Sequence, residues 1–124
     1  MLWAATRGIG RDRERALEVL EDPDRTFLSS PFVPLEVVPK AIFYKKRLEK
    51  SFYDEYSNAA AWFRDLDKIE AVAQVEAAES GLAAMDSLHL AAAYLSRAEE
   101  FVTTERPRKP IHRSSLVTVV HLFG

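Results

Sequence analysis

AAMDSLHLAAAYLSRAEEFVTTE, residues 83–105, decides the fold class, because it changes periodicity once and carries an acid on each side of the change. From Met85 to Arg97 the apolar residues recur at helical spacing; from Glu100 to Thr104 a short apolar, β-branched run reads as a strand. A helix feeding a strand is the repeating unit of an α/β layer. Asp86 falls in the first turn of that helix and Glu105 just past that strand.

Toward the amino terminus the same alternation continues. Residues 11–22, RDRERALEVLED, put Ala16, Leu17, Val19 and Leu20 on one helical flank, and the DPD of residues 22–24 ends the run. TFLSS, residues 26–30, is a short strand candidate. In SPFVPLEVVPKAIFYKKRLEK, residues 30–50, Ser30 is a cap candidate with Pro31 in the first turn. Pro34 and Pro39 predict an irregular stretch with a kink near Pro39. SFYDEYSNAAAWFRDLD, residues 51–67, repeats apolar residues at 52, 56, 59, 60 and 63, the spacing of a one-sided helix.

Residues 68–72 read as a weak strand and 74–80 as a helix, with Gly81 placed for a left-handed C-cap. Beyond Glu105 the breaker-rich ERPRKPIH, residues 105–112, leads to a last strand in SLVTVVHLF, residues 115–123. No repeat, low-complexity tract or interdomain linker interrupts this pattern. The expectation is one α/β domain over residues 1–124 with a mostly parallel sheet.

Composition narrows the chemistry. With 124 residues the chain suffices for one core, and with 48% hydrophobic and 29% charged residues it is globular in character. No apolar stretch reaches the length of a membrane span. The absence of cysteine excludes disulfides and thiolate metal sites. The start, MLWAATRGIGRDRER, lacks the apolar core of a secretory signal, so a cytoplasmic location is expected. A net charge of −2 gives no global field for a polyanion, so any nucleic-acid partner must be drawn by local basic residues or a bound metal.

Ligands of α/β sheets collect outside the carboxyl ends of the strands. Glu36 follows TFLSS, Asp86 opens its helix and Glu105 follows EFVTT, so all three acids are candidates for one crevice. Carboxylates about 5 Å apart repel by roughly 3 kcal/mol per pair at an effective dielectric near 20. Such a cluster requires a proton or a cation, and oxygen donors without cysteine favour Mg²⁺ or Mn²⁺. A first-turn acid is also what the helix dipole favours, and an acid after a strand is commonly a plain loop residue. Spacing alone leaves both readings open.

LSSPFVPLEVVPKA (28–41), GLAAMDSLHLAAA (81–93) and EFVTTERP (100–107), in this order and at these intervals, resemble the consecutive blocks of PIN-domain proteins. This is the metal-dependent ribonuclease fold found in toxins of the VapC type. The likeness extends over most of residues 3–122, and the step from Asp86 to Glu105 matches the family's interval between its third and fourth acids. It implies a three-layer α/β/α fold with a mostly parallel central sheet. It further implies Mg²⁺ or Mn²⁺ held by Glu36, Asp86 and Glu105, with Glu105 where Asp is more usual and Thr104 as the accompanying small polar residue. RNA as substrate, an antitoxin protein as partner and self-association into a homodimer are implied with it.

One departure from the family pattern concerns the start. Family members open with a strand ending in Asp followed by Thr or Ser, whereas MLWAATRG, residues 1–8, resembles the segment after that strand. The first strand and first acid are thus missing. A central strand's loss leaves backbone groups of both neighbours unpaired. Met1 as an internal start, a decayed copy, or another element filling the gap would each account for it, and the first is favoured. The expectation for residues 1–124 is weakened metal binding and reduced or absent activity.

Several other residues stand out. His89, one helical turn beyond Asp86, could approach a metal or a phosphate, but with Leu88, Leu90 and the alanines around it reads rather as a hydrogen-bonded helix histidine; His112 and His121 have no ligand-like spacing and receive no role. Ser87 lacks the glycine flanks of a nucleophile elbow. Lys40, Lys45, Lys46 and Arg47, and Arg106, Arg108, Lys109 and Arg113, are basic sets for RNA phosphates or for simple solvation; Lys40, Arg106, Arg108 and Lys109 lie nearest the acids in sequence. Phe52, Tyr53, Tyr56, Trp62 and Phe63 suit a core or dimer surface better than base stacking. Two functions follow: a PIN-type endoribonuclease of a toxin–antitoxin pair, or a PIN-like interaction module that has lost its chemistry.

Overall fold

The computed structural model describes residues 11–122. The sequence reading of residues 1–8 lies outside them. In chain order the elements are α1 (Arg11–Glu21), β1 (Leu28–Ser29), α2 (Phe32–Phe43), α3 (Arg47–Ala59), β2 (Ala61–Trp62), α4 (Leu66–Ser80), α5 (Ala84–Leu95), β3 (Glu100–Thr103), a 3₁₀ turn (Pro110–Arg113) and β4 (Thr118–His121). The chain is therefore mixed α/β. Its described strands form two parallel pairs, β1 with β2 and β3 with β4, rather than the single central sheet expected from the sequence.

Both faces of the β3–β4 pair are covered. Val102 packs on the α1 side, where Ala16 of α1 meets Leu122, while Phe101 and Val119 pack with Leu82, Leu90 and Ile111 on the α5 side. Alternation along one strand thus serves two layers. Ile69 and Ala73 of α4 pack against Ala91 and Ala92 of α5, small side chains that let the two helices come close. Ala41 of α2 and Tyr53 of α3 form a further cluster, which joins the first through Leu20 and Phe52.

Local chemistry explains most boundaries. α1 stops where Asp22 accepts the backbone N–H of Asp24 at 2.9 Å, so the side chain satisfies a turn that Pro23 keeps from being helical. α4 begins with the Asp65 carboxylate accepting from the Lys68 N–H, and ends at Gly81, whose φ of 68° is the predicted left-handed C-cap. At the start of α2, Ser30 Oγ accepts the Phe32 N–H at 3.3 Å across the intervening Pro31, so the predicted cap residue serves that helix end.

Four expectations are corrected. The predicted irregularity at Pro34 and Pro39 is absent, and α2 runs continuously through both. Pro34 lies in the first turn, where N–H groups lack helical partners in any case, and Pro39 leaves unbonded only the carbonyl of Leu35, a residue on the solvent side. Residues 61–63, expected as helix, leave it after Ala59. The N–H of Ala61 donates to Phe27 O and that of Phe63 to Ser29 O, each at 2.9 Å, so pairing with β1 overrides the helical periodicity.

The weak strand at 68–72 is instead the body of α4, since Ile69, Val72 and Ala73 all pack toward α5. Finally, TFLSS and SLVTVVHLF shorten to the two residues of β1 and the four of β4.

Candidate functional site

A cleft of about 810 Å³ lies between the β1 and β3 half-sheets, and Glu36, Asp86 and Glu105 all line it. Ser30, His89, Thr103 and Thr104 line the same end. Glu36 comes from the second turn of α2, Asp86 from the first turn of α5, and Glu105 from the turn after β3. At the opposite end Arg25, ahead of β1, pairs with Glu100, the first residue of β3, at 3.6 Å. The two half-sheets therefore present the same ends to the cleft: amino ends at the Arg25–Glu100 pair, carboxyl ends at the acids.

Each acid is held differently. Glu36 Oε2 lies 3.1 Å from His89 Nε2, one helical turn beyond Asp86. That hydrogen bond holds the Glu36 carboxyl below its usual range, with help from the charges of His89 and Lys40 and against the opposing effect of burial. Asp86 is shifted the other way. Burial raises it first, then the charge of Glu105, with that of Glu36 adding to the rise and His89 opposing it. Three separated stretches of sequence thus meet closely enough for their charges to be felt at Asp86.

Glu105 sits on a braced turn. Its N–H donates to Thr103 Oγ1 at 3.0 Å, and its carbonyl oxygen lies 2.8 Å from His112 Nε2, which donates to it as the Nε2–H tautomer. On sequence His112 has no role, and Thr104 resembles the small polar residue that accompanies the acids. The structure gives the bracing to buried Thr103 and to His112, while Thr104 lines the cleft. Nothing in the local pattern marks His112, because its partner is a backbone atom seven positions away.

The donor set, three carboxylates with excess negative charge, fits Mg²⁺ or Mn²⁺ in chemistry. Among the described residues, no group of three or more His, Asp or Glu side chains is arranged to hold a metal ion. Shared lining and mutual electrostatics are present; a finished coordination geometry is not.

The basic candidates are all exposed. Lys40 lies one helical turn beyond Glu36 on α2 and contributes to its lowered proton affinity. Arg106, Arg108 and Lys109 occupy the turn directly after Glu105, where the Lys109 N–H closes on Arg106 O at 2.9 Å. Lys45, Lys46 and Arg47 sit at the α2–α3 connection, and the Arg113 guanidinium lies beside Gly81.

The aromatic set is largely structural. Tyr53 is buried, Phe52 and Phe63 pack on core clusters, and the indole N–H of Trp62 donates to Ser57 O at 2.7 Å. Tyr56 donates its hydroxyl to Leu28 O at 3.0 Å, and burial pushes its pKa up to about 12. Among the described residues no helix is long and apolar enough to cross a membrane. Comparison with protein-family profiles, with curated proteins and with solved structures finds no match.

Proposed function

We propose that the chain is a PIN-like α/β/α domain acting as a metal-dependent endoribonuclease, the toxin of a toxin–antitoxin pair. The observation that carries this reading is the meeting of Glu36, Asp86 and Glu105 at one end of one cleft, with Asp86 raised by burial and, beside it, by the charges of Glu105 and Glu36. These acids would hold Mg²⁺ or Mn²⁺. Bound there, such an ion supplies a water of lowered pKa and neutralises charge on a phosphodiester under attack. Thr104 lines the approach, and Lys40, Arg106, Arg108 and Lys109 supply cations flanking the acids for neighbouring phosphates. An antitoxin would act by covering the acidic mouth.

A second reading, an interaction module without chemistry, is favoured by a specific surface. Leu35, Ile42, Phe43, Tyr44 and Leu48 are exposed on α2, at the α2–α3 connection and on α3, with Leu48 89% exposed. Such residues suit a protein partner, whether an antitoxin segment or a second copy.

The discriminating experiment is cleavage of a mixed single-stranded RNA pool in Mn²⁺, with and without chelator. The nuclease reading expects metal-dependent cleavage that falls at least about 100-fold in both Glu36→Gln and Asp86→Asn. Cleavage that survives chelation or both substitutions removes it. A wild-type chain with neither cleavage nor Mn²⁺ binding in calorimetric titration that still binds a protein partner through the α2–α3 surface favours the second reading.

A further inference from the structure

Glu105 stands where its own charge is unwelcome. That charge is felt at Asp86, so without a cation the two carboxylates repel, and Glu105 is exposed on a turn that leaves its side chain a way out to water. Something must hold it at the mouth of the cleft.

The local chain does so only through a few bonds. Residues 105–109 are exposed throughout, and neither Pro107 nor Pro110 has an N–H to give to a turn. His112 Nε2 donates to Glu105 O at 2.8 Å, the Lys109 N–H to Arg106 O at 2.9 Å and the His112 N–H to Lys109 O at 3.1 Å. The first and last residues of the 105–112 segment are thereby joined, and the segment becomes a closed loop.

That loop is fastened to the core. Ile111, beside His112 in the 3₁₀ turn, is buried with Leu82 and Leu90. The His112 ring lies against that of His121, with centroids 6.4 Å apart and planes at 69°, and His121 ends β4 opposite Thr103, the last residue of β3. Thr103 Oγ1 in turn accepts the Glu105 N–H at 3.0 Å. The N–H and the carbonyl of Glu105 are therefore both held from the carboxyl end of the β3–β4 pair. Holding the peptide groups on both sides of one Cα fixes its φ and ψ, and with them the bond that aims the carboxylate.

We propose that His112 is a positioning residue: it clamps the 105–112 loop so that the Glu105 carboxylate and the cations of Arg106, Arg108 and Lys109 meet a phosphate-bearing ligand and its metal ion as a preset group. The purpose of the clamp rests on the nuclease reading; the clamp itself does not. Loop ordering and the approach of Glu105 to Asp86 are settled during folding, so binding does not have to supply them. In this role His112 touches neither metal nor RNA.

Four proteins test this: the wild-type chain, His112→Gln, His112→Asn and His112→Ala. Gln carries an amide N–H₂ as many bonds from Cβ as Nε2 is, Asn reaches only the Nδ1 position, and Ala has no donor. Exchange of the Glu105 amide is measured in metal-free protein, with the Leu90 amide inside α5 as the gauge of folding, and Mn²⁺ is then titrated calorimetrically. Ala and Asn should exchange Glu105 about 5-fold faster and bind Mn²⁺ about 5-fold more weakly, the effect of one lost hydrogen bond, with Leu90 still protected. Gln should stay within about two-fold of wild type in both. If Ala also loses Leu90 protection, Asn carries the comparison. Equal Glu105 exchange in all four proteins overturns the proposal. So does Mn²⁺ affinity that is unchanged in Asn and Ala while their Tm falls, which makes His112 a packing residue, or a Gln variant no better than Asn. A wild-type chain that binds no Mn²⁺ but shows the expected exchange pattern removes the nuclease reading and leaves the clamp standing.

Discussion

His89 Nε2 lies 3.1 Å from Glu36 Oε2, tying the second turn of α5 to the first half of α2 across 53 positions of sequence. The imidazole is almost enclosed, at 12% exposure, while the carboxylate is half open, at 49%. The buried partner is thus the fixed one, and it occupies an oxygen that a cation at the acidic mouth would also use.

His89→Ala separates these roles. Losing one hydrogen bond and some packing costs about 1 kcal/mol, a fall of a few degrees in Tm. Freeing Glu36 Oε2 should raise Mn²⁺ affinity several-fold in calorimetric titration. Weaker or unchanged Mn²⁺ binding would remove Glu36 from the set of metal ligands.

The acids shift in opposite directions, so their neutral variants should respond oppositely to pH. Glu36 is lowered from 4.5, so its stabilising contribution is present above that value and is lost as pH falls through its folded-state value. Asp86 is raised from 3.8; the folded state holds its proton more tightly, and stability is lost as pH rises from there through its folded-state value. At pH 7 without metal, Glu36→Gln should lower Tm by about 2 °C or less, the half-open site discounting the effect, and Asp86→Asn should raise it. Both differences should shrink below the ordinary carboxylate range. Thermal scans from pH 3 to 8 decide the signs, and a drop for Asp86→Asn at neutral pH contradicts the charge crowding described for the cleft.

The turn following Glu105 offers a test that leaves the acids intact. Arg108→Glu with Lys109→Glu should weaken binding to single-stranded RNA across sequences. It should also reduce the dependence of log K on log salt by about 0.7 for each phosphate that is no longer neutralised. Filter binding at several salt concentrations reads both quantities. An unchanged slope assigns these side chains to solvation alone.

Gly81→Ala isolates backbone strain from packing. A Cβ there would meet the Arg113 guanidinium at 3.5 Å, an ordinary contact, so the cost comes from φ of 68° and amounts to about 1 kcal/mol. Urea unfolding should show a lower midpoint with unchanged slope. Asn, which tolerates the left-handed region, should lose less.

Legibility in the sequence followed the range of the interaction. The α5–β3 succession and the Gly81 cap were readable because i, i+4 periodicity and a left-handed turn are properties of neighbouring residues. The strand at Ala61–Trp62 was not, since only hydrogen bonds to Phe27 and Ser29 turn an apparently helical stretch into an extended one. Pro39 misled in the opposite sense: its missing hydrogen bond is tolerable only because the freed carbonyl belongs to a residue on the solvent side.

By itself the sequence determined the residue chemistry: oxygen donors without thiols, acids placed near strand ends and helix starts, and an alternation that commits the chain to an α/β layer. Only the tertiary structure decided that Glu36, Asp86 and Glu105 share one cleft, that His89 competes for the first of them, and that the described strands stand as two parallel pairs. The division has a physical cause. Propensity and capping act over a few residues, whereas electrostatic crowding and sheet pairing act between atoms that only packing brings together.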